Sequence, residues 1–383
     1  MKILHIAPDE KFINAIHWQF EEIFPNKSKY LIFLTKKQNE LKYIKVSKNV
    51  SLVDENLETF FKEIAANDII ILHGLNYFQS KVVLAYQAKA KFIWFFWGGE
   101  IYDNPHGLAK QTLGIKTQRK FADPSIALKL KNFIKPVYYY FKKSITPKKS
   151  ILKAAQKIDY FGSLDKEELN YLKEKGFLKS NILHVRMTYY PLEFILDGIV
   201  DDFVKGDSIL LGNSASISNN HLEAFDLLKK FNLEKRDLIV PLSYGDNKYA
   251  KELKNIGLEV FGKKFMPIIE FMPLSSYNKI LLGCEIVVMN HYRQQAVGNI
   301  LAMLWIGAKV YLNESNTFYH YLKINGIIVF SINKDLNPEN PTVFRGLVRE
   351  EILANRIILK RIIGFNTLKK DMERILTQIA NEH

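Results

Sequence analysis

The chain has 383 residues, with 54 Lys+Arg against 40 Asp+Glu, so its formal net charge is +14. Hydrophobic residues make up 48% and charged residues 25%, which excludes a mainly disordered or fibrous chain. The length favours two domains, and the single cysteine, Cys284, excludes an intrachain disulfide and a cysteine-based zinc site. A single cysteine fits a reducing, cytoplasmic setting. Because no apolar run approaches the roughly 18–20 residues of a membrane span, we expect a protein that is soluble or peripheral to a membrane.

The first half of the chain alternates short apolar strands with helical patterns. Its predicted strands are 2–6, 30–34, 69–72, 92–96, 158–162 and 182–185. Its predicted helices are 13–24, 56–66, 80–88 and 165–175. This alternation is typical of βαβ units around a buried parallel sheet.

Residues 105–155 interrupt the alternation with a basic-aromatic insert, which we predict to be helical. Between Lys110 and Lys149 lie eleven basic residues and one acid, Asp123, with six aromatic residues among them. Such a segment can bind single-stranded nucleic acid, enter the headgroup region of an anionic membrane, or form a solvated helical face. No RNA-binding signature accompanies it, so we favour the membrane and expect no nucleic-acid partner.

The second half shows the alternation more clearly. Its predicted strands are 208–211, 238–242, 258–261, 285–289, 309–312 and 327–330. Its predicted helices are 221–228, 248–256, 275–282, 295–305 and 316–324. Ser218 or Asn219 is the expected N-cap of the first of these helices, and residues 343–380 have the pattern of one or two amphipathic helices.

These elements predict an α/β fold of two αβα domains joined near residue 200. We place the first domain at 1–195, with the insert inside it, and the second at 205–345. The C-terminal helices over 346–383 are expected to pack across both domains. Ligands in open α/β sheets bind beyond the carboxyl ends of the strands, so we expect a ligand cleft between the two sheets.

Several familiar signatures are absent from the sequence. There is no Gly-rich dinucleotide fingerprint, no phosphate-binding lysine loop and no nucleophile-elbow serine. An Asp-x-Asp motif, which would hold a diphosphate through a metal, is also missing. The nine histidines contain no His-x-x-x-His pair, so we expect no metal site.

Two polar loops of the second half follow predicted strands. The turn Gly212-Asn213-Ser214 offers backbone N–H groups and small polar side chains that can cradle phosphate oxygens, although an ordinary turn has the same composition. The run from Asn290 to Asn299 includes Arg293-Gln294-Gln295 just before a predicted helix near Ala296. An arginine ahead of a helix N-terminus favours an anion, and glutamines can bind sugar hydroxyls. A polar loop with an incidental arginine is the alternative interpretation.

In the first half, a predicted strand ends at Trp97-Gly98-Gly99-Glu100-Ile101-Tyr102-Asp103. Paired glycines allow a ligand to approach the backbone closely. Glu100 or Asp103 can then accept a proton from an attacking hydroxyl, unless they are merely a first-turn acid and a turn residue. His73-Gly74 ends another strand, where a buried structural histidine is the expected role.

Together, these motifs resemble the bacterial TDP-N-acetylfucosamine:lipid II N-acetylfucosaminyltransferase family, of the 4-alpha-L-fucosyltransferase type. The resemblance is good over about 205–335 and patchy over 70–105. The segments that carry it are 211–214, 218–221, 240–245, 293–295 with Gly298, 312–316 with Phe318, 97–103 and 73–74.

The resemblance implies a GT-B fold, in which two Rossmann-like domains face a central cleft. It also implies donor nucleotide in the C-terminal domain, acceptor over the N-terminal domain, and neither cofactor nor metal. By this resemblance Gly212, Asn213 and Ser214 line the diphosphate and Arg293 counters its charge. The other residues assigned in the same way are Gln294, Gln295, Gly298 and Asn299 near the donor sugar, and Tyr244, Asn313 and Asn316 near the nucleoside.

The resulting hypothesis is a glycosyltransferase that moves a deoxyamino sugar from a TDP-type donor to a polyprenyl-diphosphate-linked saccharide. Such an enzyme would lie on the inner face of the cytoplasmic membrane, held through Lys110–Lys149. Two alternatives stay open at this point. One is a UDP- or GDP-sugar donor, and the other is a non-catalytic nucleotide- or nucleic-acid-binding protein on the same scaffold.

Overall fold

The computed structural model describes residues 1–34, 40–122, 145–233 and 236–382. Contacts between Cα atoms divide the chain into two compact units. Unit 1 comprises 1–109, 127–191 and 364–383, and unit 2 comprises 110–126 and 192–363. The chain therefore passes from unit 1 to unit 2 after Pro191, where the sequence-based boundaries are 195 and 205.

Unit 1 contains a seven-stranded sheet in which every pairing is parallel. Its strands are β1 (Ile3–Pro8), β2 (Ser28–Phe33), β3 (Val50–Val53), β4 (Ile69–His73), β5 (Phe92–Phe95), β6 (Tyr160–Ser163) and β7 (Leu183–Arg186). The order across the sheet is β3-β2-β1-β4-β5-β6-β7. The strand order thus reverses between β1 and β4 at the middle of the sheet. Every residue of these two strands is buried except Pro8, which is half-buried.

Helices cover both faces of this sheet, over two separate apolar clusters. The described helices are α1 (Ile13–Ile23), α2 (Leu57–Ala65), α3 (Tyr77–Ala85), α4 (Gly99–Tyr102), α6 (Pro147–Ala155), α7 (Lys166–Glu174) and α15 (Phe365–Asn381). One cluster includes Phe60, Trp94 and Phe161, and the other includes Phe20 and Ile71. Each cluster has the parallel-strand side chains of one face at its centre, as expected for a doubly covered sheet.

Unit 2 contains a six-stranded parallel sheet in the order β10-β9-β8-β11-β12-β13. Its strands are β8 (Ser208–Leu211), β9 (Leu238–Pro241), β10 (Phe265–Ile268), β11 (Cys284–Met289), β12 (Lys309–Leu312) and β13 (Phe330–Ser331). Its described helices are α5 (Ile115–Thr117), α8 (Leu192–Ile195), α9 (His221–Leu228), α10 (Asn247–Phe261), α11 (Leu274–Leu282), α12 (Val297–Ile306), α13 (Thr317–Ile324) and α14 (Arg349–Ile363). A π-helical turn follows α5 at Gln118–Ala122, and 3-10 turns lie at Ile217–Asn219 and Gly262–Lys264.

The predicted α/β fold of two parallel-sheet domains is confirmed, but one predicted strand is wrong. Residues Leu258–Phe261 belong to helix α10, and the strand begins at Phe265. Gly257 lies inside that helix because a Cβ there would come within 2.3 Å of the Phe265 ring. The glycine permits close helix-to-strand packing and does not end the helix.

Two further expectations differ from the structure. The short strand β3 was not among the predicted strands. Its four residues are partly or fully exposed at the sheet edge, so they lack the apolar pattern of a buried strand. Neither Ser218 nor Asn219 caps α9. Both lie in a 3-10 turn, and Asn220, at a left-handed φ of 51°, is the residue that precedes the helix.

Residues 123–144 of the basic-aromatic insert, which include Lys142 and Lys143, lie outside the described residues. Residues 110–122 belong to unit 2, where Glu223 of α9 accepts hydrogen bonds from the backbone N–H groups of Lys116 (2.8 Å) and Thr117 (2.9 Å). Its end forms helix α6 of unit 1. No helix in the described part of the chain is long and apolar enough to cross a membrane.

Candidate functional site

The turn after β8 requires glycine at its first position. Gly212 has φ +69°, and a Cβ there would lie 2.6 Å from Asn219 Oδ1 and 2.7 Å from His221 Nε2. These separations are shorter than real Cβ contacts, so the backbone can pass beneath the two side chains only without a Cβ. The turn therefore has a defined conformation whose backbone is fixed by buried polar groups.

Asn219 and His291 fix the next residue of this turn. Asn219 Oδ1 accepts the backbone N–H of Asn213 at 2.9 Å, and its Nδ2 donates to the carbonyl oxygen of Ser214 at 3.1 Å. His291, which follows β11, places Nε2 2.9 Å from Asn219 Oδ1 and 3.2 Å from Asn213 Oδ1. Because both amide oxygens are acceptors, Nε2 carries the ring proton.

His291 is neutral in this environment. Burial first, and then the charge of Arg293 and of His221, lower the pKa of His291 to about 3. Its Nδ1 is therefore a lone-pair acceptor, and among the described residues no group donates to it. A buried acceptor without a donor beside a polar turn is a feature of sites that bind a ligand or an ordered water.

Gln295 joins the same network from the loop between β11 and α12. Its Oε1 accepts from Ser218 Oγ at 2.7 Å, and its Nε2 donates to Asn213 Oδ1 at 3.3 Å. The structure thus brings together two predicted donor-site residues, Asn213 and Gln295, that are 82 positions apart.

The other residues predicted in this loop lie around the start of α12. Arg293, Gln294, Gly298 and Asn299 are all half-buried, and a Cβ at Gly298 would meet open space. The residue before the helix is Ala296, at φ +58°, which provides no side-chain cap for the first N–H groups. These N–H groups and the nearby arginine form a positive end that favours an anion.

Asn313 follows β12 and is tied to the same edge of the sheet. Its Nδ2 donates to Asn290 Oδ1 at 3.0 Å, and its Oδ1 accepts the backbone N–H of Ser315 at 2.9 Å. Asn316 is buried and acts as the N-cap of α13, where its Oδ1 accepts from the backbone N–H of Phe318. Its Oδ1 therefore serves the helix, and only its Nδ2 has no partner among the described residues.

Tyr244 lies apart from these bonded side chains, in the loop after β9. Its side chain is 72% exposed, while its carbonyl oxygen accepts the backbone N–H of Ala215 at 2.7 Å. A nearby bridge pairs Ala215 with Gly245. The backbone of this loop is thus joined to the turn that contains Gly212, and the loop carries an exposed tyrosine ring.

Asn220 is a central residue of the site that the sequence-based prediction missed. Its Nδ2 donates to the carbonyl oxygens of Asn290 and Thr112, both at 3.1 Å, and its Oδ1 accepts the backbone N–H of Gly114 at 2.9 Å. Its φ of 51° lies in the left-handed region, which asparagine tolerates better than most residues, so the signal in the sequence was the asparagine directly before the helix. Asn220 connects the start of the basic-aromatic insert to the loop after β11.

In unit 1, Glu100 is a buried residue in the first turn of α4. Its Oε1 accepts hydrogen bonds from the backbone N–H of Leu75 (3.1 Å), from Trp94 Nε1 (3.3 Å) and from the backbone N–H of Trp97 (3.3 Å). Burial raises the pKa of Glu100, and the hydrogen bonds oppose this shift. The carboxylate joins the ends of β4 and β5. Asp103 is exposed at the end of the same helix.

His73 is a structural histidine, as expected. Trp97 Nε1 donates to Tyr189 Oη at 2.5 Å, and the Tyr189 hydroxyl lies 3.0 Å from His73 Nδ1. His73 Nε2 is 2.9 Å from His5 Nδ1, and His5 Nε2 is 3.3 Å from Ser28 Oγ. Burial lowers the pKa of His73 to about 3, and burial first also lowers the pKa of His5, so both rings are neutral members of a continuous chain of bonds from Trp97 to Ser28. This chain fixes the orientation of the Trp97 ring.

Comparison with known proteins agrees with this geometry. The model of the family described as 4-alpha-L-fucosyltransferase, glycosyl transferase group 56, matches residues 167–349. The match confirms the resemblance seen in the motifs of the second half, and it includes the turn at Gly212 and the loop at Arg293. The motif at Trp97–Asp103 lies outside the matched residues.

Solved structures match nearly the whole chain. Sucrose-phosphate synthase from Thermosynechococcus elongatus has a TM-score of 0.62 at 10% identity, with 99% of each chain covered. HepE from Anabaena, solved with UDP and glucose, has a TM-score of 0.62 at 10% identity, with 98% of this chain and 99% of that chain covered. A trehalose-6-phosphate synthase from Burkholderia multivorans has a TM-score of 0.60 at 10% identity, with 99% and 100% covered.

At this identity the structural likeness shows the fold, and the family match adds the activity. The group 56 match and the two Rossmann-like units together identify the chain as a GT-B glycosyltransferase that resembles the 4-alpha-L-fucosyltransferases.

Proposed function

We propose that the protein transfers a 4-acetamido-4,6-dideoxyhexose, or a related sugar, from a TDP-type donor to a polyprenyl-diphosphate-linked saccharide in the synthesis of a bacterial surface polysaccharide. The observation that carries the proposal is the hydrogen-bonded network around Asn213. It lies at the carboxyl ends of β8 and β11, within the residues matched by the family model.

The donor diphosphate would bind at Gly212, Asn213 and Ser214 and at the N-terminus of α12. Arg293 would supply a fixed positive charge, and the first N–H groups of the helix would add hydrogen bonds. As the sugar leaves the donor, charge develops on the bridging oxygen, and these groups stabilise it without rearrangement. The UDP bound by HepE supports a nucleoside diphosphate as the ligand class.

The donor sugar and nucleoside would contact the side chains around this anion site. Gln294, Gln295 and Asn299 present neutral hydrogen-bonding groups suited to sugar hydroxyl and acetamido substituents. Tyr244 presents an exposed ring for the base. Asn313 and Asn316 are mostly engaged with protein groups, so their contribution would be to hold the loops in place.

The acceptor is proposed to bind unit 1, and the membrane is proposed to contact the insert at Lys110–Lys149. A lipid-linked acceptor lies at a membrane surface, and a cluster of lysines with tyrosine and phenylalanine suits the headgroup region of an anionic bilayer. This combination would bring the enzyme to the surface at which its acceptor is found.

A thermal-shift panel of TDP, UDP and GDP tests the donor class. A ligand at 100 times its Kd stabilises a protein by about 2.7 kcal/mol, and we expect TDP to give the largest shift. Arg293→Ala should weaken TDP binding by about 2–4 kcal/mol because it removes a charge-assisted contact. Arg345→Ala, at an exposed arginine of the same unit, is the matched control and should leave the shift unchanged.

Three outcomes of the panel would contradict part of the proposal. A larger thermal shift with UDP or GDP than with TDP would identify that nucleotide, and not TDP, as the donor nucleotide. No shift with any of the three, from protein that unfolds cooperatively, would contradict the proposed function. An Arg293→Ala protein that binds TDP as tightly as the Arg345→Ala control would contradict the placement of the diphosphate.

A further inference from the structure

The sheet of unit 1 has one topological switch point, and two acids stand at it. The strand order reverses between β1 and β4, and loops that leave adjacent strands in opposite directions open a crevice at that place. Asp9 and Glu10 follow the carboxyl end of β1, and His73 is the last residue of β4, with Gly74 directly after it. Ligands of open α/β sheets bind in this crevice, so these acids are placed where an acceptor would lie.

The two acids have different roles. Asp9 is buried, and its carboxylate accepts the backbone N–H groups of Lys42 (2.6 Å), Tyr43 (3.1 Å) and Ile44 (3.0 Å). It therefore holds the segment before β3 and is committed to structure. Glu10, the next residue, is only half-buried.

Aromatic rings surround the same place. The ring of Phe12 meets that of Trp97 edge to face at 4.8 Å and that of Tyr189 at 4.5 Å. Trp97 lies across the end of β4, because a Cβ on Gly74 would touch its ring at 2.9 Å. Aromatic rings beside a few polar groups are a usual lining of a site for a small organic ligand, so this end of the sheet suits a saccharide.

Glu100 is a poorer candidate for contact with a substrate. It is 9% exposed, and its Oε1 already accepts three hydrogen bonds that join β4 to β5, while its Oε2 is buried and has no partner among the described residues. A base must lie within hydrogen-bonding distance of the proton that it removes. A half-exposed carboxylate at the switch point meets this requirement more readily than a buried one.

We propose that Glu10 is the catalytic base that removes the proton from the attacking hydroxyl of the acceptor. The inference rests on the proposed function and applies to transfer with inversion. The hydroxyl oxygen forms a bond to the anomeric carbon, and its proton passes to the Glu10 carboxylate. The bond from that carbon to the diphosphate oxygen breaks, and its electron pair leaves with the nucleoside diphosphate.

The electrostatic surroundings of Glu10 suit this role. Burial and the neighbouring Asp9 raise its pKa, and Lys11 opposes the shift. Burial first, and then the charge of nearby acids including Glu10, raises the pKa of Tyr189 and of Tyr190. A carboxylate with a raised pKa is a stronger base and takes a proton more readily during the reaction.

The test measures sugar transfer by Glu10→Gln from TDP-4-acetamido-4,6-dideoxyhexose to a polyprenyl-diphosphate-linked saccharide. Glu58→Gln, at an exposed acid on α2, is the matched control, and Glu100→Gln and Asp103→Asn are the rival variants. We expect transfer by Glu10→Gln to fall about 10²- to 10⁴-fold, with TDP affinity within twofold of wild type. Glu58→Gln should transfer at the wild-type rate.

A second reaction, with azide as the nucleophile in place of the saccharide, distinguishes a variant that lacks the base from a variant whose binding site is damaged. Azide carries no proton, so its attack on the anomeric carbon needs no base. Glu10→Ala should therefore form the glycosyl azide at about the wild-type rate while failing with the saccharide acceptor. Equal loss in both reactions would overturn the assignment, as would normal saccharide transfer by Glu10→Gln.

The outcomes also separate this inference from the proposed function. If wild-type protein transfers sugar and only Glu100→Gln or Asp103→Asn is defective, the function stands and the assignment of Glu10 fails. If wild-type protein forms no glycoside from any TDP-, UDP- or GDP-sugar, the proposed function fails, and the assignment fails with it.

Discussion

Replacing Gly212 by alanine tests the structure of the candidate diphosphate turn. The substitution adds a Cβ at φ +69°, 2.6 Å from Asn219 Oδ1 and 2.7 Å from His221 Nε2. Gly198→Ala is the matched control, because Gly198 has φ +76° in the same unit and a Cβ there would meet nothing within 4 Å. The control carries the backbone strain without the collision.

The expected magnitudes differ clearly. Left-handed backbone strain costs about 1–2 kcal/mol in either variant. At Gly212, overpacking adds about 1–3 kcal/mol. Moving Asn219 would also break its hydrogen bonds with Asn213 and His291, at about 1 kcal/mol each. We therefore expect a loss of about 4–7 kcal/mol in Gly212→Ala and about 1–2 kcal/mol in Gly198→Ala.

Urea unfolding followed by circular dichroism measures both variants, and TDP titration measures the site. Gly212→Ala should be the less stable variant and should bind TDP more weakly, because the displaced Asn219 no longer holds the turn. Equal stability and equal TDP affinity in the two variants would refute the account of this turn.

Two further predictions concern pH and the membrane. Burial lowers the pKa of five histidines below their unfolded value near 6.5, so the unfolded chain binds more protons below that pH and stability falls as the solution is acidified. These histidines are His5, His73, His184, His221 and His291. Acidification from pH 7 to 5.5 should lower the free energy of unfolding by about 1 kcal/mol for each of these histidines. Urea unfolding that shows the same free energy of unfolding at both pH values would contradict this. Neutralising Lys142, Lys143, Lys148 and Lys149 should weaken sedimentation with vesicles of anionic lipid, at about 1 kcal/mol for each lysine near the surface, and equal sedimentation before and after would identify a solvated face.

The fold was predictable from sequence because its strands are apolar and its helices are bounded by polar residues. Ile286–Met289 could only be a buried strand, and the helix after Ala296 was placed within one residue. The prediction failed where packing overrides a local signal. In the sequence, Gly257 suggests the end of a helix. In the structure it lies inside α10, where the missing side chain leaves room for the Phe265 ring.

The candidate site was predictable only in part. Asn213 and Gln295 could be proposed from their positions after strands, and the structure joins them through a hydrogen bond. The partners that fix them, Asn219 and His291, are buried polar groups whose roles depend on contacts between distant parts of the chain. Glu10 was not singled out because an acid in a strand-to-helix turn is common. Its significance depends on the order of strands, which a single sequence does not reveal.

The most direct measurement combines TDP-4-acetamido-4,6-dideoxyhexose with a polyprenyl-diphosphate-linked saccharide and follows both products by mass spectrometry. We predict that the lipid gains one sugar and that TDP is released in equal amount. Arg293→Ala should form neither product. An unmodified lipid, from folded wild-type protein offered TDP-, UDP- and GDP-sugars in turn, would contradict the prediction.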